Sequence, residues 1–287
     1  MLHTNIKAVL FRVVKRVVLF ALSLLLLSIF VFIMARLAPG DPLRAYYGES
    51  VERMSQTQRA SAAATLGLDR PLLVQYGIWL TNALHGNFGI SFQYKRDVLA
   101  VIGSVWQNTA LLAGTAFVLI CLLSLLLGAI CCYQEDSWLD KLLCKIGIVS
   151  NCIPSFLLSL GLILIFSVWL RLLPSGGVGS GSGGQVRHLV LPVCALLLGH
   201  VWYYAYNVRN LLCEQARQDY VLLCRAKGLS RRKTLLLHCL PNIVPSYASM
   251  MAVFVPHLLG GTYIVEKIFS YPGLGTLCVE GIMYHDY

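Results

Sequence analysis

The chain has 287 residues, of which 57% are hydrophobic and only 13% charged. A water-soluble domain carries about a quarter charged residues, so this chain has too little polar side chain to cover a water-facing surface. Its formal net charge of +10 gathers in a few short stretches, which points to a rim against anionic lipid rather than a nucleic-acid surface.

Residues 1–16 carry Lys7, Arg12, Lys15 and Arg16 with no acid. Val17 to Met34 then contains no charge at all. A bilayer core about 30 Å thick needs roughly 20 apolar residues of helix to cross it, so the first span is placed at 17–37. The block is too long for a signal-peptide core, and no small-residue cleavage site follows; it is read as a retained helix. Residues 38–108 form the longest polar stretch, opened by the turn signal Pro39-Gly40-Asp41-Pro42. Within it Ser50 to Leu66 reads as a short helix. Pro71 to Leu84 reads as an amphipathic helix along the membrane surface, with Tyr76, Trp79 and Leu80 toward the interface.

Further apolar blocks place span two at 109–133, span three at 146–170, span four at 189–206 and span five at 243–265. In lipid each must satisfy its own backbone hydrogen bonds, which selects helices over open sheet. The expected fold class is therefore an all-α integral membrane protein with five predicted spans. Residues 171–188 are a Gly/Ser loop in which Gly179, Gly181 and Gly184 have the spacing of a dinucleotide-binding turn. No strand precedes them, and a flexible loop is expected instead. No phosphate loop ending in Gly-Lys-Ser/Thr occurs, so the chain does not bind ATP by that route.

Orientation follows from charge. The stretch 207–242 holds Arg209, Arg217, Arg225, Lys227, Arg231, Arg232 and Lys233 against Glu214 and Asp219, whereas the segment between spans three and four has only Arg171 and Arg187. The positive-inside rule puts the N-terminus and the 207–242 loop in the cytoplasm; residues 38–108, 171–188 and 266–287 are then external. The ten cysteines avoid the 38–108 loop and sit in or beside spans (Cys121, Cys131, Cys132, Cys152, Cys194) or in cytoplasmic stretches (Cys144, Cys213, Cys224, Cys239). They read as small hydrophobes rather than a disulfide framework. Cys278 alone is expected outside, without a partner.

The informative stretch lies in the last cytoplasmic loop. Asp219 to Ser230 suggests a helix broken at Gly228, which can take a left-handed conformation, followed by a second helix opened by Ser230 as N-cap and stopped near Pro241. Tyr220, Leu223 and Lys227 share one helical face. An apolar patch with a basic rim is what a docking element needs.

The run Tyr220 to Gly228, with Leu229-Ser230 and the later Asn242 and Pro245, resembles the coupling motif of permease subunits in the dipeptide, oligopeptide and nickel family of ABC importers. Arg225, Ala226, Lys227 and Gly228 match the motif's centre, with Cys224 where alanine is expected. Other stretches resemble the family in the same order. They are Arg36 to Pro42; Leu66 to Leu72 with Gln75-Tyr76; Phe88-Gly89-Ser91; Pro154-Ser155-Phe156; Leu191-Pro192; Glu266 and Phe269; Pro272 to Gly275; and Asp286-Tyr287.

The resemblance implies a type I ABC-importer transmembrane domain in the cell inner (cytoplasmic) membrane. It also implies partners: a second permease subunit, two ATPase subunits that bind the ATP and dock on Tyr220, Arg225, Ala226, Lys227, Gly228 and Leu229, and an external substrate-binding protein. No catalytic residue and no cofactor bound by this chain are expected. Family members usually have six spans, the sixth after the Asp-Tyr pair; here the sequence ends at Tyr287, and the last helix is expected to be absent or supplied by a neighbouring chain.

The stretch Gly67 to Phe92 resembles the nickel-importing members most closely, so nickel or a nickel-ligand complex is the expected cargo, with dipeptides or oligopeptides as the alternative. Imidazole suits nickel. His200 in span four and His257 in span five are therefore pathway candidates, against the plainer reading of hydrogen-bonded helix histidines; Glu266 at the outer end of span five is a pathway candidate or an interfacial anchor. No spacing pairs them as ligands, and no metal site is expected. Pro241, Pro245 and Pro256 should weaken the hydrogen-bond ladder of span five and let it bend. An intramembrane enzyme would need paired catalytic groups at depth, such as His-Glu-x-x-His. An ion-coupled carrier would need ionisable residues at mid-membrane. Neither constellation is present in the sequence.

Overall fold

Long apolar runs free of acids leave helix as the only way to satisfy the backbone, and helices dominate the computed structural model, which describes residues 2–37, 42–65, 67–150, 152–179, 181–284 and 286. Residues 38–41, 66 and 287, which belong to motif stretches quoted above, lie outside the described residues. Four described helices are long and apolar enough to cross a membrane, or five if one bent pair counts as a single span.

The described residues divide into two compact units, residues 1–101 with 279–287, and residues 102–278. The first unit contains α1 (Leu2–Leu37), α2 (Pro42–Tyr47), a 3-10 turn (Gly48–Arg53), α3 (Gln56–Thr65) and α4 (Leu72–Leu84). Tyr76 and Trp79 meet partners that the sequence did not announce. They pack on α1, where both rings lie against Phe32 at 5.4 and 6.3 Å and the Tyr76 hydroxyl meets Ser28 at 2.8 Å. Aromatic contact and a hydroxyl partner hold both rings on α1; Leu73 and Leu84 are the most exposed apolar side chains of α4. Near its C-terminal part, Asp286 accepts from the Ser91 hydroxyl and from the Phe92 and Gln93 amides, so two motif stretches almost two hundred residues apart close on one carboxylate.

The second unit is a helical bundle. It takes most of α5 (Val98–Tyr133), then α6 (Trp138–Ser150), α7 (Ser155–Leu162) with a π-helical continuation (Ile163–Trp169), and α8 (Gly181–Ala216). These are followed by α9 (Asp219–Ala226), α10 (Arg231–Thr234), a π turn (Leu235–Cys239), α11 (Leu240–Ile268) and the start of α12 (Leu274–Met283). α8 is the centre: it packs on α6, α7 and α11. Its buried residues Leu196, Tyr204, Val208 and Leu212 form one core with Leu112, Ala116 and Ile120 of α5 and with Met251, Phe254 and Leu258 of α11. Gly147 of α6 makes the α6–α8 approach possible, since a Cβ there would lie 2.6 Å from Cβ of Tyr206. Small residues at such crossings let backbones come close enough for dispersion to hold helices in lipid.

Three expectations change. The stretch 146–170 is not one helix: Trp138–Ser150 and Ser155–Trp169 meet at 111°. Pro154 supplies the break, because it sits extended as the N-cap of α7 and restricts the residue before it. Nor does the hairpin's second helix stop at Pro241. The chain runs on helically through the π turn, and Pro241 falls just after it at the start of α11, where the wider turn makes room for the proline ring. Finally, the Gly/Ser tract is held rather than loose at its start. Gly177 N–H donates to the Phe269 carbonyl at 2.7 Å, and a Cβ on Gly176 would lie 2.3 Å from the same oxygen. All ten cysteines are free thiols, and Cys131, Cys132, Cys213, Cys224 and Cys239 are buried.

Candidate functional site

At one end of α8 the chain turns through Arg217-Gln218 into α9 and forms a hairpin. α9 ends as the sequence suggests: Gly228 sits at φ +76°. Its N–H donates to the Arg225 carbonyl at 2.9 Å, and Leu229 N–H reaches back to Cys224 at 3.1 Å. This paired closure satisfies two carbonyls at the helix end. Ser230 then caps α10, its hydroxyl accepting from Lys233 N–H at 3.4 Å.

The hairpin has two faces. Val221, Cys224, Thr234, Leu235 and Cys239 are buried, while Leu222 and Leu223 are 63% and 57% exposed beside exposed Arg225, Ala226, Lys227 and Gly228. Leu229 is half-buried. So is Tyr220, whose hydroxyl donates to Gln215 at 3.0 Å; burial, ahead of its neighbours, raises the phenol above its ordinary value and keeps it a neutral donor.

Polar links tie the inner face to the bundle. Arg231 donates to the Cys132 carbonyl at 3.2 Å, and its guanidinium lies 5.7 Å from the Tyr133 ring centre. A cation is thus placed on the unpaired carbonyls at the C-terminus of α5, where the helix dipole favours it. Arg217 pairs with Glu135 at 2.8 Å. Arg209 of α8 grips Asp140 of α6 with two nitrogens at 2.8 and 2.6 Å, and the Asp140 side chain is only 3% exposed. A buried fork of this kind fixes orientation as well as charge. It did not emerge from the sequence, because the partners are 69 positions apart and Arg209 counted there only as one cation of a basic loop. The lone acid near the start of α6, close after Ser137, was the one available signal.

The three pathway candidates separate. His200 of α8 and His257 of α11 come together, ring centres 5.7 Å apart, with Phe254 against both at 5.1 and 6.4 Å. His200 is partly buried and His257 exposed. No cluster of three or more metal-ligating side chains occurs among the described residues. Glu266 does not join them. It is 1% exposed, and it accepts from the Thr109 hydroxyl at 2.7 Å and from Thr276 N–H at 2.9 Å. Thr109 itself accepts from Leu274 N–H at 2.8 Å. Two of the four unpaired amides at the start of α12 are thereby satisfied, so the carboxylate holds a turn.

Comparison with known proteins agrees with this architecture. Residues 122–287 match the family described as binding-protein-dependent transport system inner membrane component, and residues 9–113 match its N-terminal membrane component family. A Brucella abortus (strain 2308) protein with the provisional name of peptide transport system permease is 33% identical over 279 residues, covering 96% of this chain and 87% of its own length. A Brucella suis protein with a similar provisional name, peptide permease, is 33% identical over 270 residues, covering 92% and 84%. The metal-staphylopine import system permease protein of Staphylococcus aureus (strain Mu50) is 28% identical over 276 residues, covering 96% and 87%. The chain belongs to the binding-protein-dependent transport system inner membrane component family: it is a multi-pass permease subunit of an ABC importer, not an enzyme, in a system that works with ATPase and binding-protein partners.

Proposed function

We propose that the chain forms one half of an import pathway for nickel or a nickel-ligand complex, driven by ATPase subunits that seat on the hairpin Tyr220–Leu229. A second, similar permease would complete the pathway, two ATPase subunits would bind and hydrolyse the ATP, and an external binding protein would deliver the cargo. The basic hairpin and the N-terminus face the cytoplasm in this reading, following the charge bias of the short loops.

The observation that carries the coupling role is the hairpin's two-sidedness. Leu222 and Leu223 stand open between basic residues, while the opposite face runs through the π turn into α11 and holds α5 through Arg231. A push on the open face therefore reaches α11 and α5 together. Cargo preference is supported by His200 and His257, which sit across the α8–α11 contact. Imidazole suits nickel, and two rings rather than a closed ligand set allow release as well as capture. Sliding α11 against α8 changes their separation, which would make and break the contact once per cycle. The relative named for metal-staphylopine import is in keeping with a chelated metal as cargo.

Peptide cargo is the second reading, favoured by the names of the Brucella relatives. Uptake of labelled nickel with excess dipeptide, in cells carrying the whole transport system with and without this chain, decides between them. Chain-dependent nickel uptake that resists dipeptide supports the metal reading; chain-dependent dipeptide uptake without nickel uptake removes it. His200→Ala with His257→Ala should lower nickel uptake sharply and leave membrane insertion unchanged. The coupling role has its own test in Gly228→Val. An added Cβ meets nothing within 4 Å, so the main cost is that of a left-handed β-branched residue, roughly 1–2 kcal/mol. Uptake should fall to background while the chain still inserts; uptake at the wild-type rate would sink the docking role.

A further inference from the structure

We infer that the end of α8 opposite the hairpin carries a phosphate-recognising pocket, built by Arg171, Arg187 and His188, that holds the headgroup of an anionic phospholipid. The pocket has a volume of about 380 Å³, and Leu172, Leu173 and Pro174 add apolar surface to its lining. Cations gathered beside apolar surface suit an amphipathic anion better than a fully hydrated one.

The charge pattern points the same way. No Asp or Glu occurs anywhere between Lys141 and Cys213, so the segment supplies no carboxylate to balance these arginines. Short loops on the exported side are normally poor in Arg and Lys, and two arginines kept there without an acid call for an anion from elsewhere. Arg171 makes no hydrogen bond or ion pair among the described residues, and its backbone is held at φ +50°, unusual for a side chain of its size. Arg187 spends one nitrogen on the Leu172 carbonyl at 3.1 Å, which fixes it beside Arg171 and leaves the rest of its fork open. His188 is fixed by Nδ1 against the Gly176 carbonyl at 2.8 Å. Guanidinium forks bind phosphate through two parallel N–H bonds.

Depth selects the source of the phosphate. The pocket follows directly on Trp169, which is 71% exposed at the end of the π-helical stretch, and Leu170 and Leu172 are also more than half exposed. Exposed tryptophan beside exposed leucine marks the headgroup level of a bilayer. α8 runs from Gly181 to Ala216, so Arg187 lies about 44 Å along the helix from its hairpin end, more than the hydrocarbon core. With the hairpin in the cytoplasm, the lipid belongs to the outer leaflet. The leaflet and the exported-side charge argument rest on the proposed orientation; the pocket and the exposed Trp169 beside it do not.

The test uses the assembled transporter in nanodiscs of phosphatidylcholine doped with phosphatidylglycerol, with bound lipid counted by native mass spectrometry. Wild type should retain phosphatidylglycerol over phosphatidylcholine. Arg171→Gln, which breaks no internal bond, should weaken that retention about fivefold, and adding Arg187→Gln should weaken it again by a similar factor. Equal retention in wild type and both variants would overturn the proposal. So would displacement of the lipid by millimolar inorganic phosphate, which would mark a free-phosphate site. Loss of binding-protein association with lipid retention unchanged would overturn it too, by assigning the arginines to the protein partner. A failure of nickel uptake leaves this readout untouched, since retention is measured without transport.

Discussion

The two ends of the bundle hold their helix termini by different chemistry. At the hairpin end, cations do the work: Arg231 on the last carbonyls of α5, Arg217 on Glu135, Arg209 on Asp140. At the other end a single buried carboxylate, Glu266, closes the turn into α12 through a threonine hydroxyl and a backbone amide. Neutral donors packed around a buried acceptor give a joint with one geometry, because moving any member leaves a desolvated group without a partner. Long arginine side chains can follow a moving carbonyl while keeping their bonds. On the coupling role proposed above, the contrast suits a hairpin end that transmits displacement and an opposite end that resists it, with Asp140–Arg209 as a rigid fork on the hairpin side.

That contrast can be broken or sharpened by substitution. The largest effect should come from Asp140→Ala. It leaves Arg209 without its buried carboxylate, and losing one partner of such a pair costs about 3–5 kcal/mol. Thermal unfolding of the detergent-solubilised protein should show a marked fall, relieved in part by also making Arg209→Ala. If the double variant is no better than the single, the fork is not the anchor described here.

Glu266→Ala comes next. It orphans Thr276 N–H and unseats Thr109, at about 1–3 kcal/mol for each stranded group. Glu266→Gln keeps acceptor capacity on one oxygen and should recover much of that loss. Hydrogen exchange at the start of α12 would report it, and unchanged protection in the alanine variant would remove the joint.

The smallest effect on stability should come from Leu222→Ser with Leu223→Ser. Both side chains are already exposed, so folding should shift by no more than about 0.5 kcal/mol. Association with the ATPase subunits should nevertheless weaken measurably in a pull-down. Unaltered association would move the docking surface elsewhere on the hairpin.

Much of this was legible from residue order alone. Charge-free apolar blocks announced the long helices of α1, α5, α8 and α11, and the left-handed Gly228 followed by a capping Ser230 announced the hairpin's shape. What escaped was set by contacts distant in sequence. Nothing near Glu266 says that Thr109 will face it, and the spacing of His200 and His257 carries no hint that α8 and α11 bring their rings together. Tyr76 and Trp79 look like interface residues to any periodicity argument, which cannot show that Phe32 and Ser28 of α1 will meet them. Pro241 misled for a different reason. A proline is a stop signal for a chain in ordinary α-register, and the wide turn before it removes the clash that would have enforced the stop.

That wide turn, Leu235–Cys239, also sets a phase. Each α-helical residue advances the chain by about 100° around the axis, and a π turn accommodates an added residue without ending the helix. Deleting one residue from this segment would restore ordinary register and swing the whole hairpin through about that angle relative to α11. Arg231 would then leave the last carbonyls of α5, and Leu222 and Leu223 would present themselves a quarter-turn away. On the coupling role proposed above, the direction in which the hairpin pushes is set by a residue count, and a one-residue deletion should abolish uptake as fully as Gly228→Val while leaving every hairpin side chain in place.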